Sequence, residues 1–214
     1  MYKYIIFDYD GTLVNSLPHW LAGYIKILKE FGIIATKKQV VEHCFGQKNG
    51  VVNLGIKDPE FFYKKLLNEV SPKAINYPDL FLGVKITLKK LNLNNINLSI
   101  VSSSSNKTIL EDFKNKNIAN YFDLIIGYED VSELKPNPEG IYKIMDFYND
   151  TNPKNYLFVG DSYKDLQAAK NAGVDFCLFK NYKNKIVDGG KIKSNTEGLT
   201  YSITRYSSLL KLVK

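Results

Sequence analysis

The chain is expected to fold as a doubly wound parallel α/β sheet interrupted by a block of helices. Runs with no charged residue at 4–7, 98–101, 124–126, 156–159 and 176–179 are the first reason. Strands so apolar on both faces belong to a sheet covered by helices on both sides. From residue 98 onward the runs alternate with helical patterns, as crossovers between parallel strands require. Three helical segments follow one another between the first run and residue 80, with no strand among them. The sequence therefore divides into an α/β core, residues 1–15 and 80–214, and a helical insert, residues 16–79.

Each element has its own signal. Tyr4-Ile5-Ile6-Phe7 is the first strand. After Asn15-Ser16 the period changes: Trp20, Tyr24, Ile27, Leu28 and Phe31 recur at three- and four-residue spacing up to a stop at Gly32. Thr36 with Gln39 makes a capping-box pattern ahead of Val40, Val41, Cys44 and Phe45. Asp58-Pro59 joins an N-cap to a proline at the first helical position, opening a helix through Phe61, Phe62, Leu66 and Leu67. Pro72 and Pro78 are expected to punctuate its exit, and Val84, Ile86, Leu88 and Leu91 begin another helix. The strand at 98–101 is followed by a helix started by Thr108 with Glu111, then by the strand at 124–126 and a helix from Pro138 to Tyr148. After the strand at 156–159 comes a helix from Ser162 to Ala172, ended by Gly173, and then the strand at 176–179. Residues 180–198, rich in Lys, Asn and Gly, read as a loop, and 201–214 can supply a last short strand and a terminal helix.

Composition narrows the function classes. With 214 residues and 44% hydrophobic content, the chain can bury one substantial core plus a smaller insert. The net charge of +7 attracts anions, but it is spread over single and paired lysines. Arg205 is the one arginine, whereas a nucleic-acid reader uses several for bidentate contacts, so nucleic acid is not the expected partner. Cys44 and Cys177 lack CxxC spacing and sit in apolar contexts suited to buried thiols. The N-terminus enters a strand carrying Asp8, unlike a secretory leader, and no apolar run reaches the length of a membrane span. A soluble cytoplasmic protein is the expectation, with its oligomeric state open.

Four polar clusters carry the chemistry. Asp8 and Asp10 stand one residue apart after the first strand, and Ser102-Ser103-Ser104-Ser105 follow Val101. Lys135-Pro136-Asn137-Pro138 opens a helix, and Gly160-Asp161-Ser162 with Asp165 follows Val159. Plainer readings exist: an acidic turn at Asp8, a helix-capping turn at the serines, a solvated cation at Lys135, and an N-cap at Asp161. Strand ends of a doubly wound sheet meet at one rim, however, and four coincidences there point to a site.

On these residues the chain resembles the haloacid dehalogenase superfamily, in the branch of phosphoglycolate phosphatases and β-phosphoglucomutase relatives. The first motif is Asp8 to Thr12, the second is Ser102, the third is Lys135, and the fourth is Gly160-Asp161-Ser162 with Asp165. The resemblance covers nearly the whole chain. It implies a Rossmann-like core with an α-helical cap at 16–79, and an Mg²⁺-dependent phosphatase acting on a small phosphomonoester such as phosphoglycolate, a sugar phosphate or a nucleotide. It further implies that Asp8 is the nucleophile, forming an aspartyl-phosphate, and that Asp10 is the general acid and base. Lys135 and Ser102 would stabilise the transferring group. Asp8, the Asp10 carbonyl and Asp161 would hold Mg²⁺, with Asp165 supporting the fourth motif. Gly11, Thr12 and Ser103 are expected beside the phosphate.

Substrate choice is expected to reside in the insert. Gly46-Gln47-Lys48-Asn49-Gly50 reads either as a substrate-reading loop, through Gln47, Lys48 and Asn49, or as an ordinary interhelical connection. His19 could face the site or be a solvated helix-entry residue. Trp20, Tyr24 and Phe45 read as insert core. Asn15 stands where the family often has aspartate. Two rival functions stay open. A β-phosphoglucomutase-like phosphotransferase is disfavoured by Thr12, where mutases commonly have valine, and by the lack of an arginine in the insert. A catalytically weak binding or regulatory member is disfavoured by four intact motifs.

Overall fold

The computed structural model describes residues 1–45, 49–76, 78–180 and 198–213, with 71–76 and 199 as backbone only. It divides into two compact units, Met1–Asn15 with Leu80–Lys214, and Ser16–Asp79. In chain order the elements are β1 (Tyr4–Phe7), α1 (Leu17–Glu30), α2 (Lys37–His43), α3 (Pro59–Asn76), α4 (Val84–Leu93), β2 (Asn97–Val101), α5 (Asn106–Asn115), β3 (Leu124–Ile126), α6 (Glu139–Phe147), β4 (Tyr156–Gly160), α7 (Tyr163–Ala172), β5 (Asp175–Phe179) and β6 (Leu199–Ile203). Short 3-10 turns lie between them, including Gly50–Leu54 and the closing Tyr206–Lys211.

The strands form one sheet in the order β3-β2-β1-β4-β5-β6, and every neighbouring pair is parallel. Strand order therefore runs outward from β1 in one direction and from β4 in the other. The carboxyl ends of these two strands flank the switch point, where a doubly wound sheet leaves a crevice. Phe7 is in register with both Ile100 and Val159, so β1, β2 and β4 end at one level.

Period-two alternation sends β1 residues to opposite faces, and both faces are buried. Ile5 and Phe7 pack with Leu98, Ile100, Leu157 and Val159 against Leu88, Ile109 and Phe113. Ile6 packs on the other face with Val101, Phe158, Ile141 and Leu166. Each such side chain contributes about 1.5–3 kcal/mol on burial, which is why no polar face interrupts these strands. The helical unit has a separate core of Leu21, Ile27, Leu28, Val40, Val41, Phe62, Leu66 and Val70. Gly23 allows α1 to approach α3 closely, since a Cβ there would lie 2.3 Å from a Val70 methyl.

Some local expectations are corrected. The α3 helix runs past Pro72 to Asn76, although an interior proline removes one helical hydrogen bond and crowds the carbonyl four residues earlier. The α5 cap is Ser105, whose side chain accepts from the Thr108 N–H at 3.1 Å, so the helix begins before Thr108. At the C-terminus a 3-10 turn, Tyr206–Lys211, replaces the expected helix, and β6 starts at Leu199. Most of the expected 180–198 loop lies outside the described residues. No helix among the described residues is long and apolar enough to cross a membrane.

A buried polar tether fastens the segment after β1 to α5. Tyr9 Oη donates to Asp112 Oδ2 at 2.9 Å, and Lys116 also pairs with Asp112. Burial raises the pKa of both Tyr9 and Asp112. Tyr9→Phe is expected to lower stability by about 1–3 kcal/mol, since a buried carboxylate loses a donor. Urea denaturation with an unchanged slope would measure this, and a loss near zero would show that the tether carries no load.

Candidate active site

The Asp8 N–H donates to the Val159 carbonyl at 2.9 Å, continuing the β1–β4 ladder one residue beyond β1. This fixes the Asp8 carboxylate at the switch point. The chain then reverses, with the Gly11 N–H on the Val14 carbonyl and the Leu13 N–H on the Tyr9 carbonyl, each at 2.9 Å. Gly11 has φ +77°, and a Cβ on it would lie 2.3 Å from Asp161 Oδ2. Both the conformation and the close approach demand glycine. Thr12 is fully buried, and its hydroxyl donates to Asp161 Oδ1 at 3.4 Å.

Lys135, in the segment between β3 and α6, is the cation of the site. Its Nζ donates to Asp8 Oδ1 at 2.7 Å, to Asp165 Oδ1 at 2.6 Å and to the Val101 carbonyl at 3.1 Å. Those bonds use all three ammonium protons. Asp165, in the first turn of α7, accepts through Oδ2 from the Ser162 N–H at 3.0 Å and the Ser162 hydroxyl at 2.6 Å. The capping box that starts α7 thus also aims Asp165 at Lys135.

Carboxylate oxygens of Asp8, Asp161 and Asp165 lie within 4.8 Å of one another. Among the described residues, Lys135 alone is ion-paired with this group, and one lysine does not balance three carboxylates. Burial pushes the Asp8 carboxyl up to about 7, with Asp165 and Asp10 adding to the rise and Lys135 opposing it. Burial, then Asp8 and Asp165, also hold Asp161 well above the usual carboxylate range. Burial works against the Lys135 charge, but Asp165 and Asp8 outweigh it and keep its pKa above the ordinary lysine value. Clustered hard oxygen donors short of positive charge suit a divalent cation such as Mg²⁺.

Ser102 is buried, and its N–H donates to the Ile126 carbonyl at 3.0 Å. Ser103 is exposed. Ser104, which was not expected in the site, donates its hydroxyl to Asp10 Oδ2 at 2.6 Å. Four consecutive serines hide which of them matters. Periodicity offered no clue, because β2 ends at Val101 and the chain bends at Ser103 and Ser104.

Of the insert residues, Gln47 and Lys48 lie outside the described residues, and Asn49 adopts a left-handed φ of 58° ahead of the 3-10 turn. His19 is half-buried in the first turn of α1. The Asn15 Oδ1 is buried without a hydrogen-bond partner among the described residues. An unpaired amide oxygen is far cheaper to bury than a carboxylate, which gives the asparagine a physical reason. Burial pushes the thiols of Cys44 and Cys177 up to about 11 and about 12, so neither is a ready nucleophile.

Residues 5–179 match the family model described as haloacid dehalogenase-like hydrolase. The chain is 28% identical over 218 residues to phosphoglycolate phosphatase from Aquifex aeolicus, covering 99% of this chain and 96% of that protein. It is 30% identical over 181 residues to phosphoglycolate phosphatase from Photorhabdus laumondii, covering 79% and 76%. A haloacid dehalogenase-like family hydrolase from Streptococcus pneumoniae superposes with a TM-score of 0.85 over 100% of this chain and 99% of that one. At 19% identity that likeness bears on the fold alone.

Proposed function

Since this chain belongs to the haloacid dehalogenase-like hydrolase family and is a phosphatase of it, we propose that it hydrolyses a small phosphomonoester with Mg²⁺, through an aspartyl-phosphate on Asp8. The observation that carries this reading is the buried Asp8 carboxylate at the sheet's switch point, held through one oxygen by Lys135. Its other oxygen attacks phosphorus while the ester oxygen departs with the bonding electrons. Asp10 gives that oxygen a proton, then takes one from the water that attacks the aspartyl-phosphate, releasing phosphate and restoring Asp8. Lys135 orients Asp8 and offers its charge to the phosphoryl group, and the Ser102 hydroxyl donates to a phosphoryl oxygen. Asp8, Asp161 and the Asp10 carbonyl would hold Mg²⁺, with Asp165 supporting them through Lys135 and Ser162. When bound, the ion offsets the phosphoryl charge facing an anionic nucleophile.

Phosphoglycolate is the first ester to test, because the relatives named above act on it by name. Phosphate release across a panel of phosphorylated metabolites, with Mg²⁺ and with chelator, is the deciding measurement. Turnover is expected with Mg²⁺, not with Ca²⁺, whose looser coordination suits the site poorly. Asp161→Ala should raise the Mg²⁺ concentration needed for half-activation by about tenfold to a hundredfold or more. Full activity in excess chelator would overturn the metal assignment.

A further inference from the structure

We propose that Ser104 is a positioning residue that sets the phosphoryl donor Ser102 through its backbone N–H and the acid/base Asp10 through its hydroxyl, so that one residue ties the two halves of the site together. The inference rests on the acid/base reading of Asp10 given above.

Ser104 makes a different bond through each of its polar groups. Its N–H donates to Ser102 Oγ at 3.0 Å, its hydroxyl donates to Asp10 Oδ2 at 2.6 Å, and its carbonyl accepts from the Tyr128 N–H at 3.2 Å. The first bond makes the Ser102 oxygen an acceptor. The Ser102 hydroxyl proton must then point elsewhere, which suits donation to a phosphoryl oxygen. The second is a short hydrogen bond to a carboxylate, the strong kind, and it occupies one oxygen of Asp10. The bond thereby orients the carboxylate that exchanges a proton with the leaving group or with water.

The segment after β3 holds Ser104 in place. Gly127 sits so close that a Cβ on it would lie 2.5 Å from the Asn106 nitrogen and 2.9 Å from the Ser104 carbonyl oxygen. Glu129 Oε1 accepts from the Asn106 N–H at 2.9 Å, and Asp130 Oδ2 accepts from the Asn106 side chain at 2.9 Å and from the Gly127 N–H at 2.8 Å. Gly127 to Asp130 thus clamp the entry of α5 from outside. An ordinary helix-capping turn would need only Ser105, which already caps α5. The Ser104 hydroxyl is not needed for that and is turned to Asp10 instead.

The experiment compares Ser104→Ala, Ser104→Thr and Asp10→Asn on two esters, p-nitrophenyl phosphate, whose leaving group departs without protonation, and an alkyl phosphate, whose leaving group needs it. Ser104→Ala should lower kcat on the alkyl phosphate by about tenfold to a hundredfold, the size of one charge-assisted hydrogen bond. It should cost p-nitrophenyl phosphate less than about threefold, because alanine keeps the backbone N–H that holds Ser102. Threonine should restore most of the alkyl rate because it keeps the hydroxyl. Equal losses on both esters, or no loss on either, with unchanged thermal stability, would overturn the assignment. If Asp10→Asn discriminates between the esters and Ser104→Ala does not, this inference fails alone. If Asp10→Asn does not discriminate, the acid/base reading fails and takes this inference with it.

Discussion

Asp8→Asn is expected to lower turnover by at least about a thousandfold, because it removes the atom that attacks phosphorus while changing little volume. The amide oxygen can still accept from Lys135, whose other carboxylate partner, Asp165, remains. Stability should not fall with activity. The folded-state pKa of Asp8 stands at about 7, above its ordinary value of 3.8, so the folded protein binds that proton more tightly than the unfolded chain does. Such a group contributes fully below about pH 4 and loses its contribution as pH rises through about 7. In metal-free protein at pH 8, Asp8 is a net burden that asparagine relieves. The variant is therefore expected to be inactive yet as stable as the wild type or more so, with the advantage growing from pH 5 to pH 8. Near-normal phosphate release by the purified variant would reject the covalent route, and a marked drop in melting temperature would reject the electrostatic argument.

Lys135→Met carries the second large effect, this time on both activity and folding. Methionine fills a similar volume, so the loss is of charge and hydrogen bonds and not of packing. Asp8 and Asp165 would share a nearly dry site without the ammonium between them, and the Val101 carbonyl would lose its donor. Breaking a buried pair by removing one partner costs about 3–5 kcal/mol. Without the cation the Asp8 pKa rises further above its unfolded value, so the penalty should shrink at acidic pH and grow as pH rises through neutrality. Urea denaturation of metal-free variant and wild type at pH 5 and pH 8 would measure it. A stability gap that does not change with pH would mean that Lys135 acts by packing. Turnover should fall by about a thousandfold or more, because nucleophile orientation and phosphoryl stabilisation are lost together.

Much of the architecture was legible because local chemistry and tertiary demand coincide. Charge-free runs mark strands that are covered on both faces, and Ser162-Tyr163-Lys164-Asp165 is a capping box whether or not anything lies nearby. Asp8, Lys135 and Asp161 each have a plain local reading, and they could be singled out because four polar clusters fall together after apolar strands or at a helix entrance. The Ser105 cap was misplaced to Thr108 because each can accept from an N–H a few residues on, and only the backbone path decides which does. Pro72 was read as a helix end because an interior proline ordinarily breaks a helix, whereas α3 continues to Asn76.

The sequence alone thus determined the residue types of the site and the strands that carry them. Only the tertiary structure decided which partners they meet. Tyr9 and Asp112 are 103 positions apart and Ser104 and Asp10 are 94 apart. No periodicity reaches across such distances. Strand order brought them together: placing β1 between β2 and β4 puts the segment after Asp8 beside the serines on one side and Asp161 on the other. Hydrophobic burial of both sheet faces drives that order, and the hydrogen bonds at the rim form where it places them.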